Sequence, residues 1–264
     1  MEFYQSEDRP LISGADNPLV TIIVGENKTA FTIHASLLIN SSEFFRAALQ
    51  GGFSEAGTKT ITFHDESPTT IQLFKHWLYH EQFPDLEKGD NLEMWQLFEG
   101  PNDRGATKSH QLVELYVFAE MYQVSYLKGN ILRALYKHVF IESPAYRWKL
   151  PRGQTLHYAF DHLPAGAPLL RLLADAYYWR GYACDYKEGD SDEFPIKFLL
   201  AVARRYADKP SRVRPAGTKR RRGPFIGDYL DDEDLNLNDI LRSKGWKVHG
   251  SNDDCKSIGD LLTK

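Results

Sequence analysis

Two histidines, His76 and His80, stand four residues apart, the spacing at which two imidazoles lie on one face of a helix and can share a zinc ion. A zinc-protease helix carries a glutamate directly after its first histidine, but Trp77 takes that place here. No cysteine lies nearby to complete a ligand set. The pattern therefore favours a pair of surface histidines over a metal site, and we predict neither a metal nor a cofactor.

The other reactive side chains also lie outside any known catalytic motif. The sequence has no phosphate-binding glycine loop ending in Lys-Ser/Thr, no dinucleotide glycine pattern and no Gly-x-Ser-x-Gly elbow. Cys184 lies beside Asp185 with no motif around it. His157 and His162 would matter only if residues 145–207 enclosed a small-molecule pocket. We predict that the protein is not an enzyme.

The composition is that of a globular protein. Of 264 residues, 42% are apolar and 26% charged, which suits one large or two small units. The net charge of −4 predicts no general affinity for nucleic acid or anionic membranes. Only Cys184 and Cys255 are present, which argues against a disulfide framework and for a reducing compartment. No apolar run is long enough for a membrane span, and the N-terminus is polar, so we expect a soluble protein of the cytoplasm or nucleus.

The elements that must position these residues begin with a β-hairpin. Residues 19–33 are rich in Val, Ile, Thr and Phe around a central turn, which is typical of two paired strands. After His34 the strand composition ends. Asn40, with Glu43 three residues later, predicts a capped helix. One face of that helix is expected to be buried, and it holds Phe44, Phe45, Ala48 and Leu49.

Further elements follow at regular intervals. Residues 58–63 alternate as a short third strand, and a helix over 67–80 starts with Ser67 as its cap and a proline at its first position. The stretch 84–108 is interpreted as an irregular insertion with one helical turn. Residues 110–124 and 126–140 each show helical periodicity.

The C-terminal half predicts helices and then a tail. Pro168 and Pro195 each precede an apolar helical stripe, so two or three helices are expected within residues 142–207, docked on the first domain. Residues 208–264 change to a basic and then an acidic composition, which predicts a disordered tail, and residues 1–17 are expected to be a flexible N-terminus.

The order of these motifs resembles the BTB/POZ domain. That family is marked by a strand ending in a histidine, a leucine a few residues later and a Ser-x-x-Phe motif, and here His34, Leu37, Ser41 and Phe44 match this pattern. The resemblance covers about residues 18–141. It implies an α+β fold with a short mixed sheet and a helical cluster, which acts in protein–protein interaction. The helix at Pro168 resembles the extension found in single-BTB proteins of filamentous fungi.

His34 is predicted to be a packing residue. A general base needs a nucleophile and an orienting partner within reach, and no such pattern surrounds it. In BTB domains the matching histidine is a fold residue at the junction of strand and helix, and the resemblance implies the same role here. The nearby Ser41, Ser42 and Asn40 are expected to cap helices.

Phe53-Ser54-Glu55 resembles the hydrophobic-x-Glu triplet by which BTB proteins recruit the cullin-3 scaffold. In that role Phe53 would fill a pocket on the partner and Glu55 would fix the orientation, with Phe45 and Leu49 on the helix behind them. The alternative is that Phe53 folds back on its own core. The implied function is a substrate adaptor of a cullin-RING ubiquitin ligase, with the substrate bound by the extension or by residues 84–108.

Two further features bear on partners. Leu19 and Ala35 stand where dimerising BTB domains carry an acid and a base, which puts homodimerisation by the charged route in doubt and leaves an apolar interface open. A basic cluster resembles a nuclear-import signal and consists of Lys219, Arg220, Arg221 and Arg222. No zinc finger, helix-turn-helix or basic zipper accompanies it, so direct nucleic-acid binding is not predicted. The alternative function is a nuclear, self-associating co-regulator.

Overall fold

The computed structural model describes residue 12 and residues 17–100, 106–141, 150–151, 153–180 and 194–207. The predicted nuclear-import cluster at 219–222 lies outside these residues. The chain divides between Lys128 and Gly129 into two compact units. The predicted domain boundary at residue 141 and the predicted docking of residues 142–207 stay predictions.

A three-stranded mixed sheet forms one layer of the first unit. Strand β1 (Leu19–Val24) pairs antiparallel with β2 (Thr29–His34) and parallel with β3 (Thr60–Phe63), in the order β2-β1-β3. The apolar residues of β1 and β3 alternate with more exposed ones, as the period of two requires, and those that are buried are Val20, Ile22, Val24, Ile61 and Phe63. The predicted hairpin and third strand are confirmed.

Three short helices separate β2 from β3. They are α1 (Ala35–Ser41), α2 (Glu43–Gln50) and α3 (Ser54–Thr58). The prediction that Asn40 caps the second helix is wrong, because Asn40 lies inside α1 and Ser42 is the cap. Ser42 has an extended backbone, which lets its Oγ accept hydrogen bonds from the N–H groups of Phe44 at 3.0 Å and Phe45 at 3.4 Å.

The next helix, α4 (Pro68–His80), begins as predicted. Ser67 Oγ accepts from the N–H of Thr69 at 3.2 Å, and the proline lies at the first position, where its missing N–H costs nothing. The insertion that follows is more regular than predicted. It contains a 3₁₀ turn (Leu86–Lys88) and a helix of two turns, α5 (Leu92–Glu99), capped by the Asn91 side chain.

Aromatic rings form the core of the first unit. Phe45 of α2 stacks on Phe74 of α4 with ring centroids 5.8 Å apart. Helix α6 (Ala106–Met121) adds Phe118, whose ring lies 4.9 Å from that of Phe74 and 5.9 Å from that of Phe63. Side chains from a strand and three helices therefore share one buried cluster. Burial of their apolar surface is the main source of the stability of this cluster.

Helix α7 (Ser125–Tyr136) continues into a π-helical turn (Lys137–Ile141). The second unit further contains α8 (Gln154–His162), α9 (Pro168–Arg180) and α10 (Ile196–Ala207). The predicted starts at Pro168 and Pro195 are confirmed to within one residue. Tyr177 is buried here, and its Oη donates to the carbonyl of Pro151 at 2.7 Å. Among the described residues, no helix is long and apolar enough to span a membrane.

Candidate functional site

The triplet Phe53-Ser54-Glu55 forms the start of α3, with Phe53 at the N-cap position and Ser54 and Glu55 as the first two helical residues. Phe53 is 63% exposed, although its carbonyl is held by the N–H of Ala56 at 3.1 Å. An ordered backbone therefore presents a large apolar ring to solvent. The alternative that Phe53 packs on its own core is wrong.

Gly51 makes this presentation feasible. A Cβ at Gly51 would lie 2.3 Å from the carbonyl oxygen of Ala47 and 3.3 Å from Cδ2 of Phe53. Real Cβ atoms do not approach a backbone oxygen this closely, so a side chain here would displace the turn. At Gly52 a Cβ would meet only open space. The path of the chain from the end of α2 to Phe53 therefore requires a glycine at position 51.

The acid of the triplet is half-buried. Glu55 Oε2 accepts a hydrogen bond from Ser54 Oγ at 3.0 Å. Lys59 closes α3 in the left-handed region, with φ of 52°, and its N–H donates to the carbonyl of Glu55 at 2.9 Å. Its Nζ lies 3.3 Å from the carbonyl of Leu49. Short polar contacts therefore tie the one-turn helix α3 to the end of α2.

Phe45 and Leu49 do not belong to this surface. Both side chains are buried, so the expectation that they contact a cullin is wrong for this structure. They lie four residues apart and form the core-facing stripe of α2, whereas Phe44 lies about 100° further round the helix. Phe44 is half-exposed, which corrects its assignment to the buried face, and its ring packs edge-on against Tyr122 at 5.0 Å.

His34 joins the end of β2 to the last turn of α4. Its Nδ1 lies 2.6 Å from the hydroxyl oxygen of Tyr79, which also accepts from the backbone N–H of His34 at 3.2 Å. One hydroxyl therefore contacts both the backbone and the ring of His34. These contacts give His34 a structural role. Leu37 is buried, and Ser41 Oγ donates to the carbonyl of Leu38 at 2.9 Å.

The cap of α1 was not predicted from the sequence. The side chain of His34 makes no capping bond to α1. Instead Asn17 Oδ1 accepts from the N–H of Ser36 at 3.1 Å, and the carbonyl of Pro18 accepts from the N–H of Ala35 at 2.8 Å. The capping side chain precedes β1 and comes into place only when the hairpin closes, so local rules for helix starts could not find it.

The histidine pair on α4 differs from its predicted character. The rings of His76 and His80 lie 4.6 Å apart, but the side chain of His76 is only 8% exposed, so it is not a surface residue. Its Nε2 lies 3.7 Å from Oδ1 of Asp90. Burial lowers the pKa of His76, and Asp90 opposes this shift in part. Within the described ranges, no group of three or more His, Cys, Asp or Glu side chains is arranged to hold a metal ion.

The other residues singled out in the sequence lie outside the triplet. His162 Nδ1 lies 2.8 Å from the carbonyl of Tyr158, one turn earlier in α8, which gives this imidazole a partner on its own helix. Leu19 is exposed and Ala35 is buried, so the positions of the usual charged pair hold one apolar surface residue and one core residue.

A comparison with protein families agrees with this architecture. Residues 20–138 match the model of the BTB/POZ domain, a span that runs from β1 into the π-helical turn. The predicted resemblance is thereby confirmed for this part of the chain, and a protein-interaction module is the function class that it supports. No curated protein matches the chain. The resemblance to the single-BTB proteins of filamentous fungi stays a prediction.

Proposed function

We propose that this chain, whose residues 20–138 are a BTB/POZ domain, is a substrate adaptor of a cullin-3 RING ubiquitin ligase. The observation that carries the proposal is the exposed ring of Phe53 beside the half-buried carboxylate of Glu55. An exposed aromatic on an ordered turn is the kind of residue that fills a pocket on a partner at little cost in entropy, because its backbone is already positioned.

The two side chains would have separate roles. Phe53 would transfer its ring into an apolar pocket of the cullin, and Glu55 would pair with a donor on the partner that fixes the orientation. The adaptor itself performs no chemistry in this mechanism. It raises the concentration of a bound substrate near the ligase, with the substrate bound by residues 84–108 or by the extension at 142–207.

Calorimetry with the N-terminal domain of cullin-3 tests this function. Phe53→Ala should weaken binding by about 2 kcal/mol or more, which is about 30-fold in Kd. Leu92→Ala is the matched control, since Leu92 of the same unit is 55% exposed and lies outside the triplet. Absence of binding by the wild type at micromolar concentration, or an equal loss in both variants, would refute the proposal.

The second candidate is a nuclear BTB protein that associates with itself. The exposed Leu19 favours it, since an apolar surface residue could serve an interface that lacks the usual charges. Under this alternative, neutralising Lys219, Arg220, Arg221 and Arg222 abolishes nuclear accumulation, and sedimentation of the purified protein gives a dimer. Under the adaptor hypothesis the same substitutions leave cullin binding unchanged.

A further inference from the structure

One face of α4 is polar, and the start of the insertion lies across it. Gln72, His76 and His80 recur at intervals of four, so their side chains lie on the same side of the helix. Nε2 of Gln72 donates to Sδ of Met94 at 3.8 Å, and Nε2 of His76 lies 3.7 Å from Oδ1 of Asp90. The chain between Asp90 and Met94 is therefore placed on α4 by polar side chains.

The end of α5 is held in a different way. Phe98 is buried, and its ring stacks on that of Phe83 with centroids 5.5 Å apart. Lys108 at the start of α6 forms an ion pair with Glu99. None of these contacts involves a histidine. The apolar anchor at Phe98 is therefore insensitive to protonation near neutral pH, in contrast to the polar contacts at the start of the insertion.

His76 is a buried imidazole with an unused nitrogen. Its side chain is only 8% exposed, and Nε2 has no hydrogen-bond partner among the residues that the structure describes. The separation of 3.7 Å from Asp90 is too long for a hydrogen bond. Asp90 is itself held by the turn, because its Oδ2 accepts from the N–H of Asp85 at 2.8 Å. A protonated His76 would thus be a buried charge whose opposing carboxylate lies beyond bonding distance.

The other elements that pack against α4 present their titratable groups to other side chains. His34 of β2 contacts the hydroxyl of Tyr79. Oε2 of Glu114, on α6, accepts from Oγ1 of Thr70 at 3.4 Å, and Oε1 of the same residue lies 3.2 Å from Nε2 of His110. Helix α1 has no titratable side chain.

Two charged groups therefore act on His76, and they oppose each other. The ring of His80 lies 4.6 Å away and adds a like charge when it is protonated. Burial is the main cause that lowers the pKa of His76, and His80 lowers it further, while the attraction of Asp90 raises it only in part. The geometry and the charges thus both disfavour a proton on His76 in the closed arrangement.

We propose that His76 and Asp90 form an acid-sensitive latch, which holds residues 85–94 on α4 while His76 is neutral and releases them when His76 takes up a proton. The stability of the closed form is complete above pH 6.5, the ordinary value for histidine, and is lost progressively as the pH falls toward the lowered pKa. The anchor at Phe98 confines the release to the start of the insertion. The latch operates whether or not Phe53 binds a cullin.

Hydrogen exchange of the full-length chain, corrected for the intrinsic pH dependence of amide exchange, tests the latch. Protection factors of residues 85–94 should fall about three- to tenfold between pH 7.5 and 5.5, because a 3₁₀ turn and a helix start are not stable away from a packed surface. Tenfold is about the limit for a single histidine whose pKa is 6.5 in the open form. Amides of β1 should keep their protection over the same range, which shows that the release is local.

Two variants assign the effect to His76. His76→Gln keeps a polar side chain beside Asp90 but does not titrate, so it should remove the fall in protection. His64→Gln is the matched control, because His64 is exposed and belongs to the same unit, and it should leave the fall unchanged. Equal falls in the wild type and in His76→Gln would overturn the proposal, and so would protection that rises on acidification.

Asp90→Asn distinguishes release from a simple ion pair. If acid drew His76 onto Asp90, protection of residues 85–94 would rise in the wild type, and Asp90→Asn would abolish the rise. The latch predicts instead a fall at least as large as that of the wild type, because the substitution removes the attraction that favours the charged imidazole. Protection that is independent of pH in Asp90→Asn would refute the latch, even if His76→Gln failed to fold.

Discussion

Ser42 joins two helices through one hydroxyl, and its removal should destabilise the first unit. The side chain is buried, and its Oγ accepts from the N–H groups of Phe44 and Phe45 while it donates to the carbonyl of Tyr122 at 2.5 Å. Tyr122 follows the end of α6, far from Ser42 in sequence. The hydroxyl therefore caps α2 and fastens it to another helix at the same time.

The cost of Ser42→Ala can be worked out from these bonds. Loss of the cap costs about 1 kcal/mol, and loss of the buried hydrogen bond to the Tyr122 carbonyl costs about 1–2 kcal/mol more. We expect the free energy of unfolding to fall by about 2–3 kcal/mol. Urea denaturation followed by circular dichroism measures this, and hydrogen exchange of the α2 amides shows whether the loss is local.

Two control variants make the result interpretable. Ser54→Ala removes an exposed hydroxyl whose one hydrogen-bond partner among the described residues is Glu55. It should therefore change the free energy of unfolding by less than about 0.5 kcal/mol. Ser42→Thr keeps a hydroxyl for both roles and should recover most of the stability. A loss below about 0.5 kcal/mol in Ser42→Ala would refute the assignment of Ser42 as the link between α2 and α6.

Two other predictions concern the turn and the response to pH. Gly51→Ala should lower the free energy of unfolding by about 1–3 kcal/mol in urea denaturation, because its Cβ would collide with the Ala47 carbonyl, while Gly52→Ala stays near wild type; equal effects would contradict this. His110 donates a hydrogen bond through Nε2 to Oε1 of Glu114, 3.2 Å away, and this bond raises the pKa of the histidine above 6.5 against the opposing effect of burial. The contribution of this ion pair to stability is thus complete below pH 6.5 and is lost as the pH rises through the raised pKa. Urea midpoints measured across pH 5.5–8.5 should therefore fall with rising pH in the wild type by an amount that is absent in His110→Gln. An identical pH dependence in the variant would show that this ion pair is not the source of the fall.

Local patterns were sufficient for much of the fold. The β-branched and aromatic residues of 19–33 predicted both strands of the hairpin, because alternation alone distinguishes a half-buried strand. Ser67 and Pro168 marked helix starts correctly, since a capping hydroxyl and a first-turn proline act within a few residues of chain. The family resemblance, confirmed over residues 20–138, rests on the same short-range order of motifs.

Local patterns failed where a distant partner decided the outcome. Asn40 has the right chemistry for a cap, but Ser42 has the extended backbone and the additional bond to Tyr122. The histidine pair at 76 and 80 was expected on the surface, yet the side chain of His76 is only 8% exposed and lies beside Asp90, fourteen residues later in the chain. Helix α5 was predicted as a single turn because glycine, proline and aspartate around it obscured its period.

The sequence by itself determined the three strands, the helix starts that a proline marks, which motif order the first unit carries, and that Phe53 and Glu55 lie between the second helix and the third strand. Only the tertiary structure decided that Phe53 faces solvent while Phe45 and Leu49 face the core. The reason is physical: helix periodicity places apolar residues on faces, but exposure depends on which other elements cover each face, and those elements come from distant parts of the chain.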